Sequence, residues 1–156
     1  MLTFFHANGR GSELKETFDW VHGVLKNRAY AHGTYYYCGP DTFFYFLSRL
    51  LSTSTYARQR LGPLFTKRVT EQFGTEGDAL ALAMRVHAAA AVDVCDARDY
   101  MQLTRMQAAD GSWPVGWVYK YGATGVLIGN VGLTTALAVS AIRRYKELEL
   151  CFRSLD

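Results

Sequence analysis

The stretch from Ala79 to Val92 constrains the fold of this chain more than any other segment. Its sequence, ALALAMRVHAAAAV, is small and apolar on nearly every side of a helix. A helix without a polar face has to be buried all round, so other elements must pack against several of its sides. Only three prolines occur among the 156 residues, and long stretches lack any helix breaker. We therefore predict that the surrounding elements are helices too.

Apolar residues recur at helical spacing in five other segments. We predict helices that begin after a Ser12 cap, at Pro40, at Tyr56, at the capping box Asp96 to Asp99, and at about Leu133. Gly62-Pro63 is predicted to kink or restart the third of the six helices. No strand-like alternation is sustained, so the predicted fold class is all-α. Amphipathic outer helices would alternate with drier inner ones, joined in hairpins.

Composition narrows the class of protein. A chain of 156 residues corresponds to one domain or to part of a larger one, and its 49% apolar and 14% aromatic residues favour a packed core. The net charge of +3 is too small and too dispersed to indicate nucleic-acid binding. No signal peptide or transmembrane segment is visible, and three widely spaced cysteines are typical of free thiols in a reducing compartment. A cytoplasmic location is predicted.

The segment from Gln107 to Leu137 carries the candidate binding residues. Its glycines and aromatic rings form a loop too long for a plain connector, and such loops are usually functional. Aromatic faces near a cation suit an apolar ligand with a charged feature. Core packing between helix ends is an equally good interpretation of the rings. The residues predicted to bind substrate are Trp113, Trp117, Tyr119, Lys120 and Tyr121.

Other polar groups do not assemble into a recognisable catalytic or metal site. Asp93-Val-Cys95 is similar to half of a zinc site, but no histidine follows it, so a turn Asp and a buried Cys are favoured. Asp93, Asp96 and Asp99 could hold magnesium, yet the last two straddle a helix start, where acidic residues are common. We therefore predict no catalytic residue, no metal ligand and no cofactor in this chain.

Gln107-Ala-Ala-Asp-Gly-Ser-Trp113 resembles the QW motif of the terpenoid cyclases. Longer blocks resemble the C-terminal part of fungal class II terpene cyclase-like proteins, some of which carry a haloacid-dehalogenase-like designation. The resemblance covers nearly the whole chain. The blocks are LTFFHANGRGSELKETFDWV from Leu2, LKNRAYAHGTYYY from Leu25, FFYFLSRLL from Phe43, GDALALAMRV from Gly77 and GWVYKYGATGVLIGNVGLTTALAV from Gly116.

The resemblance implies an α/α toroid, a double ring of inner and outer helices around an aromatic-lined cavity. In such enzymes an Asp-x-Asp-Asp or Asp-x-Asp-Thr-Thr motif protonates a prenyl diphosphate, and aromatic faces stabilise the resulting carbocations. No such acid motif exists in these 156 residues, and Val131 stands where relatives are expected to have a basic residue. The chain is therefore expected to be inactive alone, and magnesium could belong to the complete enzyme.

Residues 1–156 are predicted to form a single segment, the C-terminal part of the toroid. Six helices are about half of a ring, so inner helices such as Ala79 to Val92 are expected to be exposed along an open edge. That edge predicts self-association, and the predicted ligand of a completed ring is a prenyl diphosphate. One alternative function is a non-catalytic helical binding or scaffold module from a truncated gene. A weaker alternative is a protein prenyltransferase β-like fragment that holds zinc.

Overall fold

A computed structural model describes residues 1–154 of the chain. Within that range seven α-helices and one β-hairpin form. The elements are α1 (Leu2–Ala7), α2 (Lys15–Lys26), α3 (Asp41–Thr53), α4 (Thr55–Thr70), α5 (Ala79–Ala90), α6 (Ala97–Arg105), β1 (Trp117–Tyr121), β2 (Val126–Gly129) and α7 (Val131–Arg153), with a 3-10 turn over Gly11–Leu14.

The six predicted helices are confirmed as α2 to α7, with corrections at their ends. Asp96 caps α6 as predicted, and Asp78 caps α5; each side chain accepts a hydrogen bond from a backbone N–H three residues on. Ser12 does not cap α2, because it lies inside the 3-10 turn and makes no capping bond. Pro63 lies within α4, which continues from Thr55 to Thr70 without a restart.

Helix α5 lies at the centre of the molecule, as its composition predicted. It contacts α3, α4, α6 and α7, and ten of its twelve residues are buried. One core cluster joins α2, α3 and α4 on one side of it, and a second joins α5, α6 and α7. The expectation that Ala79 to Val92 would be exposed along an open edge is therefore wrong within the described residues, because α3 and α7 cover it from two sides.

The β-hairpin corrects the prediction of an all-α fold. Strands β1 and β2 pair antiparallel, with Tyr119 opposite Ile128 and Tyr121 opposite Val126, and an irregularity follows Trp117. The aromatic residues at positions 117, 119 and 121 are spaced by two, which is the strand period. Gly125 lies in the turn with a φ of 71°, a left-handed conformation that favours glycine. The fold is mostly helical, and an α/α toroid stays a prediction.

Among residues 1–154, no helix combines the length and the apolar character that a membrane crossing requires.

Candidate functional site

The structure separates Trp113 from the other predicted binding residues. Trp113 is 2% exposed and packs in the second core cluster between α6 and α7. Its indole N–H donates to the carbonyl of Leu103 at 2.7 Å, and its backbone N–H donates to the hydroxyl of Thr135 at 3.1 Å. These bonds tie the end of α6 to α7, which is the core packing of the alternative interpretation, and a role of Trp113 in binding stays a prediction.

The rest of the segment from Gln107 to Trp113 closes a tight loop on itself. The Gln107 side chain donates to the carbonyl of Gly111 at 3.1 Å, and the Asp110 carboxylate accepts from both the backbone and the hydroxyl of Ser112. The backbone N–H of Ala108 donates to the carbonyl of Ser112 at 2.8 Å. The segment therefore holds Trp113 in place over the end of α6.

Trp117 lines a cleft between the start of α3, the start of α5 and the hairpin. The cleft has a volume of about 380 Å³, and Trp117 is 41% exposed. The backbone N–H of Trp117 donates to the Asp78 carboxylate at 2.9 Å, so the cap of α5 also positions the ring. Apolar lining comes from Leu80, Met84 and Leu127. Acidic lining comes from Asp41, Glu76 and Asp78.

The remaining predicted residues lie further along β1. The ring of Tyr119 stacks on Tyr36 at a centroid distance of 5.6 Å, and the backbone N–H of Lys120 donates to the Tyr36 carbonyl at 2.7 Å. Tyr121 is exposed at the end of the strand. These contacts fasten the hairpin to the loop before α3. Trp117, Tyr119, Lys120 and Tyr121 thus share one strand, and their role in binding stays a prediction.

A second aromatic cavity lies on the other side of the loop before α3. Its volume is about 310 Å³ and it shares Gly39 and Thr42 with the cleft beside Trp117. We refer to it as the aromatic cavity. This cavity was not predicted from the sequence, although the run Tyr35-Tyr36-Tyr37 and the repeated phenylalanines of α3 are a sequence signal for clustered rings. The aromatic residues that line it are Trp20, Tyr30, Tyr37, Phe43 and Phe46.

A buried charge network supports the floor of the cleft. The side chain of Arg85 is fully buried, and its Nε atom lies 3.3 Å from a carboxylate oxygen of Asp41 and 3.3 Å from one of Asp99. Its Nη1 atom donates to the carbonyls of Gln72 and Thr75. Buried charges are nearly always paired, and Arg85 has two carboxylate partners in this network.

Two carboxyl groups of this network titrate near neutral pH. Burial raises the pKa of Asp41 to about 6, although the charge of Arg85 opposes the shift. Burial and the hydrogen bond with Asp99 raise the pKa of Asp96 to about 7. Because Asp41 also lines the cleft, the cleft combines an aromatic face with a carboxyl that exchanges its proton near neutral pH. Such a combination can stabilise positive charge on an apolar ligand.

The three aspartates that could have held magnesium face different surroundings. Asp93 pairs with Arg58 at 2.6 Å on the surface, whereas Asp96 and Asp99 are buried near Arg85. Among residues 1–154, no three His, Cys, Asp or Glu side chains lie in an arrangement that could hold a metal ion.

The fold and the site define a mostly helical protein with an aromatic cavity beside a partly acidic cleft. The chain is 41% identical over 144 residues to drimenol cyclase drtB of Aspergillus calidoustus. The match covers 91% of this chain and 27% of that protein, so the chain spans about a quarter of the length of the relative that it matches. No family model and no solved structure matches the chain. The resemblance to a terpene cyclase that the sequence indicated is thereby confirmed.

Proposed function

We propose that the chain forms part of the cavity wall of a class II terpene cyclase, an enzyme that protonates and cyclises a prenyl diphosphate. The observation that carries the proposal is the 41% identity to a drimenol cyclase across 91% of the chain. The aromatic cavity and the Trp117 cleft support it, because aromatic faces stabilise carbocations and exclude water. We also propose that this part of the cavity wall comes from the C-terminal part of the complete enzyme.

The chain alone should not start the reaction. Its 156 residues contain no Asp-x-Asp-Asp or Asp-x-Asp-Thr-Thr motif to supply the proton. Purified protein incubated with farnesyl or geranylgeranyl diphosphate is expected to give no cyclised product by gas chromatography with mass spectrometry. A cyclised product above the level of a boiled-protein control would overturn this part of the proposal.

The proposed role in the cavity wall can be tested with a chimera of this chain and a complete enzyme. Residues 1–154 would replace the matching region of the drimenol cyclase, and the products of the chimera would be measured. An active chimera supports the wall function. Within it, Trp117→Ala is expected to change the rate or the product distribution, while Trp117→Phe keeps an aromatic face and should restore most of the parent behaviour. Identical products and rates from Trp117→Ala would rule out a lining role for this residue.

A second candidate function is a non-catalytic helical binding or scaffold module. The absence of the acid motif from the sequence favours it. The genomic sequence upstream of Met1 discriminates between the two functions. An in-frame segment with the acid motif supports the cyclase, whereas a promoter and a clean start support the separate module.

A further inference from the structure

A cavity of about 410 Å³ between α3, α5 and α7 plays no part in the sites above. We refer to it as the basic cavity. None of the residues that line it is acidic. Two arginines, one histidine and four residues with hydroxyl groups line it: Thr3 from α1, Tyr45, Arg49, Ser52 and Thr53 from α3, His87 from α5 and Arg144 from α7.

The two arginines of the basic cavity lack acidic partners in the part of the chain that the structure describes. Arg58, Arg68 and Arg143 each pair with a carboxylate, but no carboxylate lies within 4.0 Å of either Arg49 or Arg144 within residues 1–154. Two guanidinium groups at one cavity without a counter-charge repel each other, and a bound anion would relieve that repulsion.

The surroundings of His87 indicate a positive electrostatic potential in the basic cavity. The Nη1 atom of Arg144 lies 3.4 Å from Nε2 of His87. A guanidinium can only donate, so Nε2 accepts and the imidazole is neutral. Burial, followed by the charges of Arg144 and Arg49, lowers the pKa of His87 to about 4. The hydroxyl of Tyr45 belongs to the same cavity, and its ring contacts the imidazole edge-on at 5.3 Å.

We propose that the basic cavity is a binding site for a phosphate or diphosphate group. Guanidinium forks match the geometry of phosphate oxygens, and the hydroxyl of Ser52 can donate to an oxygen that remains, whereas the hydroxyl of Thr53 already donates to the carbonyl of Arg49 at 2.8 Å. The location on three helices that are packed together gives the site a rigid frame. In a terpene cyclase the group would be the diphosphate of the substrate, and this extension alone rests on the proposed function.

The site is tested with inorganic pyrophosphate and the purified full chain by isothermal titration calorimetry at low salt. Saturable binding is expected for the wild type. Arg49→Met and Arg144→Met should each weaken it about tenfold or more, because each removes charged hydrogen bonds to the anion. The matched control is Arg143→Met, which removes the same charge from an exposed residue that pairs with Glu147. It should leave the dissociation constant within about twofold.

A second measurement separates a binding role from a merely structural one. Nuclear magnetic resonance titration of the His87 ring should show its pKa rising when pyrophosphate is bound, because the anion offsets the charges of Arg144 and Arg49. Arg49→Lys and Arg144→Lys should each keep part of the binding that the methionine variants lose, since the charge is kept and the fork is lost. Circular dichroism melting of each variant identifies any that fail to fold.

Three results would each contradict the proposed phosphate site. They are no binding of pyrophosphate to the wild type, an equal loss of pyrophosphate affinity in Arg143→Met, and an unchanged pKa of His87 at saturation. Competition between farnesyl diphosphate and pyrophosphate then tests whether the site binds the diphosphate of a cyclase substrate. If the site binds pyrophosphate but farnesyl diphosphate does not compete, the phosphate site stands and its link to the proposed cyclase function fails. The two failures are therefore distinguishable.

Discussion

At the scale of single residues, Arg85 shows what a charge in an apolar helix implies. It lies in the most apolar helix of the chain, where an unpaired charge would be very costly. The sequence therefore predicts a partner without saying which carboxylate it is. The structure supplies Asp41 from α3 and Asp99 from α6, at sequence distances that no local pattern reveals.

A pH-dependent contribution to stability follows from Asp96 in the same network. Its pKa in the folded protein, about 7, lies above the value of about 4 for an unfolded chain. The folded state therefore holds the proton more tightly, and the stability that this provides is present below about pH 4 and is lost as the pH rises through about 7. Asp96→Asn stays neutral and keeps the oxygen that caps α6.

The measurement is the free energy of unfolding in urea at several values between pH 4 and pH 7.5. From pH 4 to pH 7.5 the wild type is expected to lose at least about 1 kcal/mol more than Asp96→Asn. Asp110→Asn is the control: hydrogen bonds from Ser112 lower the pKa of this exposed carboxyl, so its titration lies below the window. If the free energy of unfolding varied with pH in the same way for the wild type and Asp96→Asn, the raised pKa of Asp96 would be contradicted.

At the scale of elements, the hairpin shows how a glycine brings two elements together. Glycine at positions 111, 116 and 122 predicts close backbone approach, and the structure shows it at Gly116 and Gly122 but not at Gly111, where a methyl group would meet only the Gln107 amide nitrogen at 3.9 Å. A methyl group on Gly116 would overlap Leu80 of α5, and one on Gly122 would overlap the ring of Tyr35. Gly116 also donates its N–H to the buried hydroxyl of Thr134 at 3.0 Å. The hairpin is therefore attached to α5 and α7 through a position where side chains do not fit.

Gly116→Ala is expected to lower the free energy of unfolding by about 1 to 3 kcal/mol, because the new methyl group displaces β1 from α5. The matched control is Gly23→Ala in α2, where a methyl group meets no atom within 4 Å. That change should raise the stability by about 0.5 to 1 kcal/mol, since alanine favours the helix. Urea unfolding of both variants provides the comparison. Equal stabilisation by both would mean that β1 and α5 are not in close contact.

At the scale of the whole molecule, the exposed apolar surface lies at the hairpin and the start of α7 rather than on α5. We define the apolar hairpin face as Val126, Leu127, Ile128, Val131 and Leu133, each more than 40% exposed. Exposed apolar patches are typical of association sites. The predicted self-association is therefore assigned to this face as a proposal.

Lysines at the apolar hairpin face should prevent self-association. The wild type is expected to associate as its concentration rises, while the double variant Val126→Lys with Ile128→Lys should sediment as a monomer, because charged residues at a strand edge oppose pairing. Sedimentation velocity over a range of concentrations measures the effect. Phe4→Lys, at an exposed apolar residue of α1, is the control and should behave as the wild type. A monomeric wild type at every concentration would count against the proposal.

The sequence by itself determined the elements whose causes are local. Helical periodicity predicted α2 to α7, the capping box from Asp96 predicted the start of α6, and an apolar helix predicted its own burial. The resemblance to terpene cyclases also came from residues that can be read in order along the chain.

Tertiary structure alone decided which distant residues meet. The partners of Arg85, the burial of Trp113 against Leu103, and the shared cavity of Arg49, His87 and Arg144 depend on how α3, α5, α6 and α7 pack. The period of two in β1 was visible in the sequence, but a two-stranded hairpin is marginal without support. Its contacts with α5 and with the loop before α3 provide that support, and no local pattern encodes them.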